Sequence, residues 1–256
     1  MQTGGLRRFT WRWWLALPFS LRALWRRLTP PDQAVQGMSY WYHGALERRP
    51  VQAVFGRGAG ARYVVENPGR RDPGTSTTLF ELNCILMALR EVDAARVLEI
   101  GTYDGNTTLN LALNVAPEGE VVTVDLPLEE GAELAIAVED RMRNVTDRRG
   151  VGRQFQGHPA SARIRQVLGD SAKLDWSSLG GPFDLAFIDG CHAYEYVKND
   201  TEGVLSVMRP GGLVLWHDYA EMDSVSRAVD SFRPRFERLC AVEGTRIAVG
   251  LVGKGR

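Results

Sequence analysis

Hydrophobic positions change their spacing in an ordered way along the chain. Between residues 76 and 92, Leu79, Leu82, Ile85, Leu86 and Leu89 recur every three or four positions. That spacing predicts an amphipathic helix, with Thr75 and Ser76 as candidate N-caps. Short apolar runs then alternate with helical stretches. Strands are predicted at residues 96–100, 121–125, 164–168, 183–188 and 212–216, and helices at 107–114, 133–143, 194–208 and 224–232. Such alternation predicts a parallel sheet covered by helices on both faces. The end departs from this. Residues 236–242 and 245–251 both read as strands, separated only by Glu243-Gly244, which is hairpin spacing. The expected fold class is α/β: a doubly wound, seven-stranded, mostly parallel sheet with an antiparallel C-terminal hairpin. Ahead of it, Leu21, Leu24, Trp25 and Leu28 follow helical spacing with Arg22 and Arg26 opposite, so a helical N-terminal extension is predicted at residues 19–28. Residues 29–75 read as loop-rich, and no internal repeat is visible.

Charge separates the two parts. The 256 residues balance, with 31 basic against 31 acidic. Yet residues 1–31 carry six arginines (Arg7, Arg8, Arg12, Arg22, Arg26, Arg27) and no acid, which leaves 25 basic against 31 acidic residues in the rest. Five of the seven tryptophans fall within the first 41 residues. Two readings of this basic, aromatic head stand side by side: docking on its own domain or on a second subunit of a homo-oligomer, and peripheral contact with an anionic membrane surface. Its longest apolar run, about residues 13–21, contains Pro18 and Ser20 and is too short to span a bilayer. No convincing small-x-small cleavage pattern follows. Cys84, Cys191 and Cys240 are odd in number and lack metal-ligand spacing, so neither a disulfide framework nor a zinc site is expected, and a cytoplasmic location is.

The chemistry begins where the first strand meets a helix. Glu99-Ile100-Gly101-Thr102-Tyr103-Asp104-Gly105-Asn106-Thr107 places two glycines four apart at the strand end. In open α/β sheets ligands bind beyond such ends. A dinucleotide fingerprint would read G-x-G-x-x-G and grip pyrophosphate. Here the pattern is E-x-G-x-x-x-G, and a carboxylate at Glu99 repels phosphate and suits a cationic ligand. Gly105 is expected to let a ligand approach the backbone. Twenty residues later Asp125 ends the next strand, where a carboxylate accepts ribose hydroxyls. The following strand ends in Gly169-Asp170-Ser171, and Asp170 is a candidate for an adenine amino group or, alternatively, a helix N-cap. One ligand needs all three features: adenosine carrying a cationic amino-acid tail, S-adenosylmethionine.

With these residues the sequence resembles the class I S-adenosylmethionine-dependent methyltransferases over about residues 79–251, and within them a bacterial branch of small-molecule O-methyltransferases. That branch carries segments like Phe187-Ile188-Asp189-Gly190-Cys191-His192-Ala193-Tyr194 and Arg209-Pro210-Gly211-Gly212, followed by Trp216-His217-Asp218-Tyr219. The resemblance implies a Rossmann-like fold at residues 76–256, behind an extension and lead-in at residues 1–75. It implies a methyl donor held by Glu99, Gly101, Thr102, Tyr103, Gly105, Asn106, Thr107, Asp125, Asp170, Ser171 and Asp189. The acceptor is expected to be a hydroxyl of a small molecule, such as a sugar or secondary metabolite, with no nucleic-acid partner.

Two mechanisms compete for the chemistry. In one, Asp189 and Asp218 hold a divalent ion such as Mg2+, which lowers the pKa of the acceptor hydroxyl. The family often has a further acid or Asn beside the second Asp, whereas His217 and Tyr219 flank it here. In the other, His192 or His217 removes the proton. His192 also suits a helix cap, and His217 suits a satisfied histidine at a strand end. Asp200 reads as an internal hydrogen-bond partner, and His43 and His158 have no assignable place. The long connection at residues 126–162 is a candidate cover for the donor or acceptor. Rival readings are an NAD-dependent oxidoreductase on the same fold, against which the glycine spacing argues, a hydroxylase on it, and a non-catalytic interaction protein.

Overall fold

The computed structural model describes residues 44–67, 77–127, 134–137 and 150–253. The head with its predicted helix, His43, Thr75, Ser76 and most of the predicted helix at 133–143 lie outside the described residues. Residues 134–137 of that last prediction are not helical.

Eight strands form one sheet: β1 (Arg48–Arg49), β2 (Arg96–Ile100), β3 (Glu120–Asp125), β4 (Ile164–Leu168), β5 (Phe183–Ile188), β6 (Met208–Trp216), β7 (Phe236–Val242) and β8 (Ala248–Val252). Their order is β1-β7-β8-β6-β5-β2-β3-β4. Only β8 runs against its neighbours, pairing antiparallel with both β6 and β7, so the mostly parallel sheet with one reversed strand is as expected. The eighth strand corrects the expected seven. β1 is two arginines long, pairs parallel with β7, and shows no alternation by which to read it. The hairpin is also wider than two residues. Thr245 is turned inward, its hydroxyl donating to Val242 O (3.0 Å) and accepting from Ile247 N (3.0 Å), so β8 starts only at Ala248.

Helices cover both faces. On one side α2 (Leu79–Glu91) and α3 (Asn106–Asn114) pack Leu82, Ile85, Leu86, Leu89 and Leu109 against Val97, Leu185, Phe187 and Leu215. On the other, α4 (Tyr194–Val207) and α5 (Asp223–Ser231) pack Val197, Val204, Val225 and Val229 against Leu98, Ile100, Val124, Ile188 and Trp216. Successive strand residues point to opposite faces, so Val97 and Leu98 belong to different cores. A short helix α1 (Val51–Val54) precedes them and buries Val54 and, at its end, Phe55. Helix α2 starts with a capping box, in which Glu81 N donates to Thr78 Oγ1 (3.2 Å) and Thr78 N to Glu81 Oε2 (2.9 Å). The N-cap is therefore Thr78 and not the residues read from sequence.

The chain leaves β2 outward to β3 and β4, then returns to β5 on the other side of β2. The carboxyl end of β2 is thus the switch point at which such sheets open a crevice.

Candidate active site

A cleft of about 420 Å3 opens at this point, lined by Ile100 and Gly101 after β2, Asp125 after β3, Gly169, Asp170 and Ser171 after β4, and Gly190 and Cys191 after β5. Gly101 has φ +101°, and a Cβ there would lie 2.1 Å from Asp189 O. The close crossing of the β2 and β5 ends therefore demands glycine. Asp125 stands on the cleft wall. Its Oδ2 accepts from Tyr103 N (2.6 Å) and Oδ1 from Leu126 N (2.7 Å), Thr102 N also points at the carboxylate, and lone-pair capacity remains. Burial raises its pKa despite these donors.

Several predicted donor residues support the wall from behind. Glu99 is fully buried among the α2 and α3 side chains, and its Oε2 accepts from the Thr108 and Thr123 hydroxyls. Burial pushes its carboxyl up to about 8, so at neutral pH it is mostly an acid and not the charged partner of a cation. Its Oε1 has no hydrogen-bond partner among the described residues. Thr102 is buried with its hydroxyl 2.6 Å from that of Thr123. Gly105, at φ +86°, makes room for protein and not for ligand: a Cβ would meet Phe155 at 2.6 Å. Asn106 and Thr107 open α3, and Asn106 faces the Asn67 amide at 3.4 Å. The described end of the long connection packs on this loop. Gly152 N bonds Tyr103 O (2.8 Å), Gln154 N bonds Asp104 O (2.9 Å), and Arg153 pairs with the buried Asp104 at 3.1 Å. His158 caps the 3-10 turn Pro159–Arg163 and faces Glu66 at 3.2 Å.

A charged cluster sits at the ends of β5 and β6. Asp189, His192 and Asp218 each offer one ligand atom, all within 4.8 Å of one another. His192 Nε2 lies 2.8 Å from Asp218 Oδ2, off the direction of a hydrogen bond, and 3.9 Å from Asp189 Oδ1. Its ring caps nothing, since α4 has no side-chain cap. Two carboxylate oxygens and one imidazole nitrogen suit a divalent cation, whose charge would displace the His192 proton. The residues present fit such an ion. His217 is 4 % exposed and stands behind this triad, with Nδ1 3.1 Å from Asp189 Oδ1 and Nε2 3.3 Å from Glu81 Oε2. Burial opposes charge on both rings, but the surrounding carboxylates prevail: His192 is held up to about 9, and His217, through Asp189 first, well above its usual range. Burial likewise opposes charge on Asp189 and Asp218, and the two imidazoles hold both carboxyls below theirs.

Sequence reasoning missed the other half of the cluster. Arg246, from the β7–β8 turn, places Nη1 2.9 Å from Asp218 Oδ1. Its Nε (3.1 Å) and Nη2 (3.0 Å) grip both oxygens of the buried Glu81. The T-x-x-E of residues 78–81 is a signal that could have found Glu81, but nothing in the sequence marks Arg246, an arginine in a turn. Tyr219, beside Asp218, turns away: its hydroxyl donates to Asp230 Oδ1 (2.7 Å) and accepts from Leu46 N (2.9 Å). Asp218 itself adopts φ +54°, a left-handed backbone costly for a non-glycine residue.

The profile of the methyltransferase-domain family matches residues 98–219, the stretch from β2 through the Asp218 turn. Within the chain, 98 residues are 37% identical to a catechol O-methyltransferase of Mycobacterium tuberculosis, covering 38% of this chain and 37% of that one. Another 141-residue match is 27% identical to caffeoyl-CoA O-methyltransferase 2 of Zea mays, covering 54% and 47%. The chain spans less than half the length of these curated relatives. The solved structure of the O-methyltransferase TomG from Streptomyces achromogenes, in complex with SAM, covers 82% of this chain and 92% of its own, with a TM-score of 0.52 and 16% identity. That likeness shows a shared fold. The cleft and the carboxylate–imidazole cluster both lie at the carboxyl ends of the strands within this matched stretch.

Proposed function

We propose that the chain transfers a methyl group from S-adenosylmethionine to a hydroxyl of a small molecule, assisted by a divalent cation. The observation that carries this reading is the placement of Asp125 and the Gly101 cleft beside Asp189, His192 and Asp218. When bound, S-adenosylmethionine supplies a methyl on a sulfonium leaving group, and a divalent ion supplies Lewis acidity toward the acceptor oxygen. The protein is left with alignment. Asp125 accepts the ribose hydroxyls with its remaining lone pairs. Gly101 keeps the β2 end low, so the donor lies over the strand ends. Asp189, His192 and Asp218 would hold the ion. His217, behind this set, is held as imidazolium by neighbouring carboxylates, so it is not free to take the acceptor's proton, whereas His192 would give up its proton to bind the ion.

The curated relatives suggest the first acceptor to try. With labelled S-adenosylmethionine and catechol as probe, methyl transfer is expected in Mg2+ and is expected to vanish with excess chelator. Transfer that survives the chelator overturns the metal-assisted route, and absence of transfer to a broad panel of small hydroxyl compounds overturns the activity. No helix among the described residues is long and apolar enough to cross a membrane. The basic head remains proposed as a segment that docks on its own domain or on a second subunit; the alternative, contact with an anionic membrane, is tested by flotation on anionic vesicles with and without residues 1–31, and failure of the full chain to float removes it.

A further inference from the structure

Asp200 sits on α4 with its side chain turned into the protein. It is 1 % exposed and lines the donor cleft. Its partners are neutral: the Ser171 hydroxyl and the Asn199 amide, the latter at 3.2 Å. Among the described residues no cation pairs with it. A buried carboxyl without a cation is costly, and proteins avoid it unless it stays neutral or serves a ligand. Gly190 stands between it and the strand ends, and a Cβ there would come within 3.7 Å of Asp200 Oδ2. Asp170, the residue the sequence offered for the adenine edge, is largely committed elsewhere. Its Oδ1 accepts from Ala172 N (2.9 Å) and Tyr196 Oη (3.0 Å), and its Oδ2 from Ala135 N (2.7 Å).

We propose that the Asp200 carboxyl, held by the Ser171 hydroxyl, reads the six-amino edge of the donor's purine. The proposal rests on the cleft being the donor site. A neutral carboxyl has one donor and one acceptor side by side. Adenine presents the complement, an amino donor beside the N1 acceptor. A six-oxo purine presents the reverse, an acceptor beside an N1–H donor. Burial, with the charge of Asp170 nearby, pushes the Asp200 carboxyl up to about 6, which keeps the neutral form within easy reach.

The test is calorimetric titration of the full chain with S-adenosylhomocysteine and with S-inosylhomocysteine, its six-oxo analogue. The wild type is expected to prefer the adenosine compound by at least about tenfold, because a site built for one hydrogen-bond pattern rejects its inverse. Asp200→Asn, whose amide carries the same donor–acceptor pair, is expected to keep that preference. Asp200→Ala is expected to lose it, mainly by weaker binding of the adenosine compound. A merely structural Asp200 would weaken both compounds alike and leave their ratio unchanged, and that result overturns the proposal. Should Asp200→Ala not fold, equal wild-type affinity for the two compounds overturns it as well. Binding of neither compound to the wild type instead removes the donor-cleft reading itself, and the proposal with it.

Discussion

At the scale of single residues, Asp218 is the point where three elements meet. Arg246 holds Oδ1, His192 faces Oδ2, and Glu81 holds Arg246 from α2. Each carboxylate is deeply buried, so removing the guanidinium leaves both to the two imidazoles alone and strips Glu81 of two directed hydrogen bonds. Arg246→Met is expected to cost about 3 kcal/mol in urea unfolding, as for other buried pairs deprived of one partner. The double variant with Glu81→Gln is expected to recover part of that loss; equal stability of wild type and Arg246→Met would mean the clamp is dispensable. Asp125 works differently, because its backbone donors stay in place whether or not a ligand is bound. Asp125→Ala is expected to weaken S-adenosylmethionine binding by roughly 1–3 kcal/mol, through the lost hydrogen bonds to ribose. Unchanged affinity in calorimetry would show that the ribose lies elsewhere.

Among the elements, the two loop glycines separate conformational need from packing need. A Cβ at Gly101 meets the Asp189 carbonyl at 2.1 Å, and backbone cannot step aside. A Cβ at Gly105 meets the Phe155 ring at 2.6 Å and the Gly152 backbone at 2.9 Å, a less severe approach. Gly101→Ala is therefore expected to lower the melting temperature more than Gly105→Ala, although both residues lie at positive φ. The reverse order would mean that the β2–β5 crossing is looser than it looks. These distances also explain what was legible in the sequence. β2, β4 and β5 fall on their predicted residues, because each is a short apolar run closed by Gly or Asp. The strand-end acids Asp125, Asp170, Asp189 and Asp218 were legible for the same reason. What lay outside the sequence was which face each residue takes and what lies across from it. Glu99 looked like a cleft residue, but alternation along β2 turns it toward Thr108 on α3. Gly105 looked like room for a ligand, but the long connection returns Phe155 onto it. Arg246 gave no signal, because its partner Glu81 lies 165 positions away.

On the scale of the whole molecule, the balanced charge of the chain hides an acidic fold that spends its acids at one sheet edge. Glu99, Asp125, Asp189, Asp200 and Asp218 all lie around that edge, and their burial makes stability depend on pH. The folded pKa values of His192 and His217 are raised, so the stability they contribute is full below about 6.5 and is lost as pH rises, for His192 through about 9. Glu99, raised to about 8, adds to the same fall, since the fold favours its protonated form. Melting temperature is expected to decline between pH 6.5 and 9, and less steeply in His192→Gln; a flat or rising profile would contradict the charge states assigned to the cluster. The central claim is that the cleft at the end of β2 takes S-adenosylmethionine. Its most direct test is calorimetric titration of the full chain with S-adenosylmethionine and, separately, with NAD. The structure predicts saturable one-to-one binding of S-adenosylmethionine and none of NAD. Binding of NAD without S-adenosylmethionine would contradict it.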